Sequence, residues 1–68
     1  MAEKILALHI MKSSETYTSV IRIGEFLNVD TFRKALKEVK NLLITCDKKY
    51  DFKLNIGLVR DDYFIIIK

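Results

Sequence analysis

Residues 27–47 read LNVDTFRKALKEVKNLLITCD, the stretch whose spacing decides what the rest of the chain can be. Val29, Phe32, Leu36, Val39, Leu43 and Cys46 recur at steps of three and four, joined by Ala35 and Leu42. On a helical wheel they form one continuous apolar stripe. Asn28 fits an N-cap, because its side-chain oxygen can accept from the free backbone N–H groups of the first turn. Leu27 before the cap and Phe32 at the fourth helical position make a hydrophobic-staple pair. Asp30 puts negative charge at the positive end of the helix dipole, and Lys48 and Lys49 put positive charge near the other end. The spacing predicts a helix from Val29 to around Asp47. Cys46, on the apolar stripe, is expected to pack against the sheet as a small hydrophobe and not to act as a nucleophile.

Working outward, the periodicity changes from helical to alternating. Lys4–Met11 sets Leu6, Leu8 and Ile10 against Ile5, Ala7, His9 and Met11. After a polar connection, Lys12–Thr16, the run Tyr17–Gly24 sets Tyr17, Ser19, Ile21 and Ile23 against Thr18, Val20 and Arg22. Beyond the helix, Phe52–Val59 sets Phe52, Leu54, Ile56 and Leu58 against Lys53, Asn55, Gly57 and Val59. Arg60-Asp61-Asp62 reads as a polar turn, since Asp is at home in turn geometry. Tyr63–Ile67 is a continuous apolar run, as in a strand buried on both faces. The expectation is an α+β fold of order ββαββ in a single domain over residues 1–68. Two β-hairpins flank the amphipathic helix, which packs on one face of a mostly antiparallel sheet.

A chain of 68 residues buries only ~60% of its unfolded surface. Below ~70–80 residues a domain usually needs a disulfide, a metal, an oligomer or very dense packing. Cys46 is the single cysteine, so no intramolecular disulfide exists, and with His9 far from it no zinc-ligand spacing exists either. No metal and no cofactor is expected. Half of the chain is hydrophobic, and one helix covers one sheet face. Leu6, Leu8, Ile10, Ile21, Ile23, Leu54, Ile56 and Leu58 would supply the helix side. Ile5, Ala7, Met11, Val20 and Val59 would then leave an apolar patch on the other side, larger than most monomers expose. A second copy is the expected cover, giving a homodimer through those five residues, with pairing at a sheet edge as the other route.

The helix carries a second pattern. Arg33, Lys34, Lys37, Lys40 and Lys48 share one arc of the wheel with Asn41 and Ile44, with Asp30 the only acid inside it and Glu38 at its border. The net charge is +3 and the pI about 9.1, mildly basic. A cationic helix face suits nucleic-acid phosphates or an acidic protein surface, although a merely solvated lysine face has the same pattern. Ile44 amid the cations favours a protein contact. Arg33, Lys37, Lys40 and Ile44 are therefore the candidate partner-binding residues.

Catalytic chemistry finds little support. His9 has no Ser, Cys or carboxylate beside it in sequence. With glycine only at Gly24 and Gly57, no phosphate-binding loop exists. Tyr17, Tyr63 and Phe64 are candidate base-stacking platforms, but strand aromatics are more often packing residues. No secretory signal or membrane-length apolar run is read, which suggests an intracellular protein. The expected function is a small non-enzymatic regulatory module, inhibitor-, antitoxin- or adaptor-like. It would act as a homodimer and bind another protein through a sheet edge or the basic helix face. A sequence-nonspecific nucleic-acid-binding dimer using the same helix face is the alternative.

Overall fold

The chain folds as β1 (Ile5–Ser13), β2 (Thr18–Phe26), α1 (Val29–Thr45), β3 (Tyr50–Asn55) and β4 (Arg60–Ile67), in a computed structural model describing residues 4–13 and 16–67. The order ββαββ and the α+β class are as expected. Ser14 and Glu15 of the first connection lie outside the described residues, as do residues 1–3 and 68 at the ends of the single expected domain. The sheet has the order β2-β1-β4-β3. Each hairpin is antiparallel, while the two inner strands, β1 and β4, pair parallel. The sheet is therefore mixed. This follows from the connectivity: α1 carries the chain from β2, at one edge, across the sheet to β3, at the other.

Asn28 caps α1 as anticipated, its side chain accepting from the Asp30 N–H at 2.7 Å. Phe32 is buried, and its aromatic neighbours are Phe26, at 5.8 Å between centroids, and Tyr63, at 4.4 Å. Leu27, the expected staple partner, remains largely exposed. At the other end the helix stops earlier than Asp47. The Asp47 N–H donates to the Ile44 carbonyl and the Lys48 N–H to the Leu43 carbonyl, with Asp47 left-handed at φ 55°. That pair of bonds is a Schellman stop. It also corrects the reading of Cys46, which is the exposed C-cap and not a core residue. The apolar stripe continues to Cys46 in sequence, but the packed part of the helix ends at buried Leu43.

Leu6, Leu8, Phe32, Leu43 and Ile65 form the core, flanked by half-buried Ile10, Phe26, Ala35, Leu36, Val39, Tyr50, Tyr63 and Ile67. Leu8 and Ile65, neighbours on the two central strands, are the largest fully buried side chains. Three expectations at the C-terminal hairpin are corrected. Arg60, Asp61 and Asp62 belong to β4, and the hairpin loop is Ile56–Val59 instead. Ile56, Leu58 and Val59 are thus off the sheet and exposed, Leu58 at 100%. Buried Asp61 explains the shift: its Oδ1 accepts from the Gly57 N–H at 3.3 Å and from Lys4 Nζ at 2.9 Å. Its carboxylate therefore ties the loop down from within the strand. Gly57 is required there, since a Cβ would stand 2.8 Å from the Arg60 carbonyl oxygen.

The result is a thin, elongated body. The radius of gyration is 12.7 Å, against about 11 Å for a compact domain of this length. The chain exposes 5286 Å², whereas a monomer of its mass is expected to expose about 4450 Å².

Candidate functional site

α1 packs mainly over β2 and β1. The β3 side of the same sheet face is left partly uncovered, and Phe52 and Leu54 are exposed there. Along α1, at the start of β3, lies an open groove of about 340 Å³, lined by Arg33, Leu36, Lys37, Lys40, Asn41 and Ile44 of the helix and by Tyr50 of the strand. Arg33, Lys37, Lys40 and Ile44, singled out in the sequence, all line it. Leu36 belongs to the apolar stripe of the helix and Tyr50 precedes the strand read from Phe52, yet together they form its apolar wall. The signal for Tyr50 was present: its alternation with Phe52 and Leu54 starts the strand two residues earlier than read. No acidic side chain lines this groove. Lys40 lies over the Phe52 ring, 5.2 Å from its centroid, a cation–π contact that holds an otherwise mobile ammonium at the groove edge.

The opposite sheet face is built differently. By register, Glu25, Ala7 and Asp62 form one row across β2, β1 and β4, and Arg22, His9 and Phe64 form the next. The Arg60 guanidinium reaches Asp62 through Nε at 2.8 Å and Glu25 through Nη1 at 2.8 Å. Glu25 also meets Arg22 at 3.1 Å. Since Glu25 and Asp62 flank Ala7, the guanidinium bridges over it, and Ala7 is 0% exposed. His9 is buried, its Nε2 3.0 Å from Asp62 Oδ1 and its ring stacked on Phe64 at 4.9 Å. Hydrogen bonds from Arg60 first, and from His9 second, hold the Asp62 carboxyl below its ordinary range. Asp62 is therefore a carboxylate that only accepts, and His9 Nε2 carries the proton.

The residues expected at a dimer interface are not one patch. Ala7 is covered by its own chain, Ile5 and Met11 are half-buried, and Val20 is exposed on the edge strand β2. Val59 lies on the β3–β4 loop, where its carbonyl accepts from the Ile5 N–H at 3.0 Å. The suggested base-stacking platforms are also separated. Tyr17 is exposed before β2, Tyr63 is wedged between Phe32 and Phe52, and Phe64 is stacked on His9 beneath the sheet.

Among the described residues, no three His, Cys, Asp or Glu side chains gather so as to hold a metal ion. No described helix is long and apolar enough to cross a membrane. Compared with protein-family models, with curated proteins and with solved structures, the chain matches none.

Proposed function

We propose that this chain is a small non-enzymatic regulatory module that works as a homodimer and binds another protein in the groove between α1 and β3. The occupant is an acidic segment with apolar side chains. The observation that carries this reading is the groove itself: three cations, Arg33, Lys37 and Lys40, stand against Leu36, Ile44 and Tyr50 with no acid among them. Cations at the rim steer an acidic partner, while aliphatic and aromatic surface supplies the contact that survives salt. A nucleic acid fits less well. Its phosphates have no use for Ile44, and Lys40 already occupies the Phe52 ring. The lone thiol, Cys46, ends the helix on one side of the sheet, while His9 and Asp62 lie on the other, so the reading does not pair them. Homodimerisation is supported by the exposed area, which exceeds the monomer expectation by roughly 800 Å².

Fluorescence anisotropy tests the partner class with two probes, a peptide of alternating Glu and Leu and a single-stranded oligonucleotide. Peptide binding is expected to persist at high salt and to fall at least tenfold in the Arg33→Ser, Lys37→Ser, Lys40→Ser triple variant. Oligonucleotide binding is expected to be weak and steeply salt-dependent. Tight oligonucleotide binding at high salt, or peptide binding indifferent to the triple substitution, overturns the reading.

A further inference from the structure

We propose that two copies of the chain pair through β3, antiparallel about a two-fold axis at Phe52, and that this joins their two grooves into one basic trough. The inference rests on the dimeric, groove-binding reading above and specifies how that site is completed.

The two sheet edges are not equivalent. β2 carries a bulge opposite Leu8 and His9, a feature that turns an edge away from pairing, although Val20, Ile21 and Ile23 on it are exposed. β3 pairs with β4 without a break from Tyr50 to Asn55, and the helix stands away from it. Its outer backbone groups are a template for another strand. The strand is also complementary to itself. When Phe52 pairs with the partner's Phe52, Asp51 stands opposite the partner's Lys53, and Lys53 opposite the partner's Asp51. On the other face Tyr50 meets the partner's Leu54. Cross-strand pairs of opposite charge and of aromatic with apolar residues are those that stabilise antiparallel sheets. A two-fold interface requires this self-complementarity.

The pairing builds more than a dimer. Tyr50, Phe52 and Leu54 face the helix side of the sheet, since they pair with Ile67, Ile65 and Tyr63. Across the axis their counterparts continue the same floor. Each α1 then forms one wall, with Arg33, Lys37 and Lys40 contributed twice. One chain supplies half a trough, and an acidic segment relieves the repulsion between its two walls.

The test uses a cysteine-free background, Cys46→Ser. A residue on the axis meets its own copy, so Phe52→Cys is expected to form an intermolecular disulfide under mild oxidation. Leu54→Cys, which faces the partner's Tyr50, is expected to remain largely uncrosslinked. Opposite Cβ atoms are about 4.5–5.5 Å apart, near disulfide reach. Lys53→Asp places like charges opposite each other twice and is expected to halve the mass seen by sedimentation, and adding Asp51→Lys is expected to restore it. The Glu–Leu peptide is expected to titrate at one per two chains and to lose at least tenfold in affinity in Lys53→Asp. A dimer that survives Lys53→Asp without crosslinking at position 52 overturns the β3 interface but leaves the dimeric reading standing. Peptide bound one per chain, at full affinity, to monomeric Lys53→Asp overturns the trough but leaves the groove standing. A wild-type monomer at high micromolar concentration overturns both dimer proposals.

Discussion

The two faces of the sheet invert what a count of layers suggests. One face has a helix on it and is open at both edges, along β3, where Phe52 and Leu54 are exposed, and at Ile21 on β2. The other has no layer among the described residues, yet its central residues Ala7 and His9 are buried. On that uncovered face a small side chain, Ala7, leaves room for Arg60 to span from Asp62 to Glu25, and Phe64 lies flat against His9. Aliphatic stems and stacked rings can shield apolar backbone and side chains while their polar ends remain in water. The helix, by contrast, is narrower than four strands and sits to one side. What matters for closure is how far side chains reach, not how many layers are stacked.

The largest effects are expected beneath the helix. Leu8→Ala is expected to cost about 2–5 kcal/mol, the usual range for a fully buried leucine. A domain of this size has only about 3–10 kcal/mol in total, so urea denaturation of this variant should start from a nearly unfolded baseline. A stability loss under 1 kcal/mol would mean that α1 does not seal this half of the sheet.

The self-closed face is next. Ala7→Leu fills the space under the Arg60 bridge and is expected to cost about 1–3 kcal/mol through overpacking. An unchanged denaturation midpoint would show that this face is simply open to solvent.

Acid titration probes the same network with a defined sign. The Asp62 carboxyl is held below its ordinary value of 3.8, so the folded state favours its charged form. The stability it contributes is complete above that value and is lost as the pH falls through it towards the lower folded-state value. Urea midpoints measured from mildly to strongly acidic pH are expected to fall less steeply in Asp62→Asn than in wild type. Parallel curves would remove Asp62 from the acid response.

The smallest effect belongs to Cys46. As an exposed C-cap it is expected to tolerate Cys46→Ala within about 0.5 kcal/mol. Thiol reagents should label the native and the unfolded chain at similar rates. Strong protection in the native state would return Cys46 to the core.

Much of the fold was legible because its signals are local. Asn28, Asp30 and the spacing from Phe32 to Leu43 mark α1 without reference to anything outside it, and alternation marks β1 and the course of β2, although the bulge in β2 breaks its alternation and Ile21 and Ile23, expected on the helix side, are exposed. What escaped depends on distant partners. Arg60-Asp61-Asp62 looks like a turn until Lys4 and the Gly57 N–H are seen to share the Asp61 carboxylate. Parallel pairing of β1 with β4 joins residues more than fifty positions apart, beyond any periodicity. Cys46 continued a stripe whose packing had already ended at Leu43. The groove was half legible: its cations share a helix face, but Tyr50 is brought to them only by the crossover.

Sedimentation equilibrium of the wild-type chain at micromolar concentration tests the central claim, that the opening along β3 leaves this 8.0 kDa chain an incomplete unit. The account predicts twice the chain mass. A mass of 8.0 kDa that persists at high micromolar concentration would contradict it.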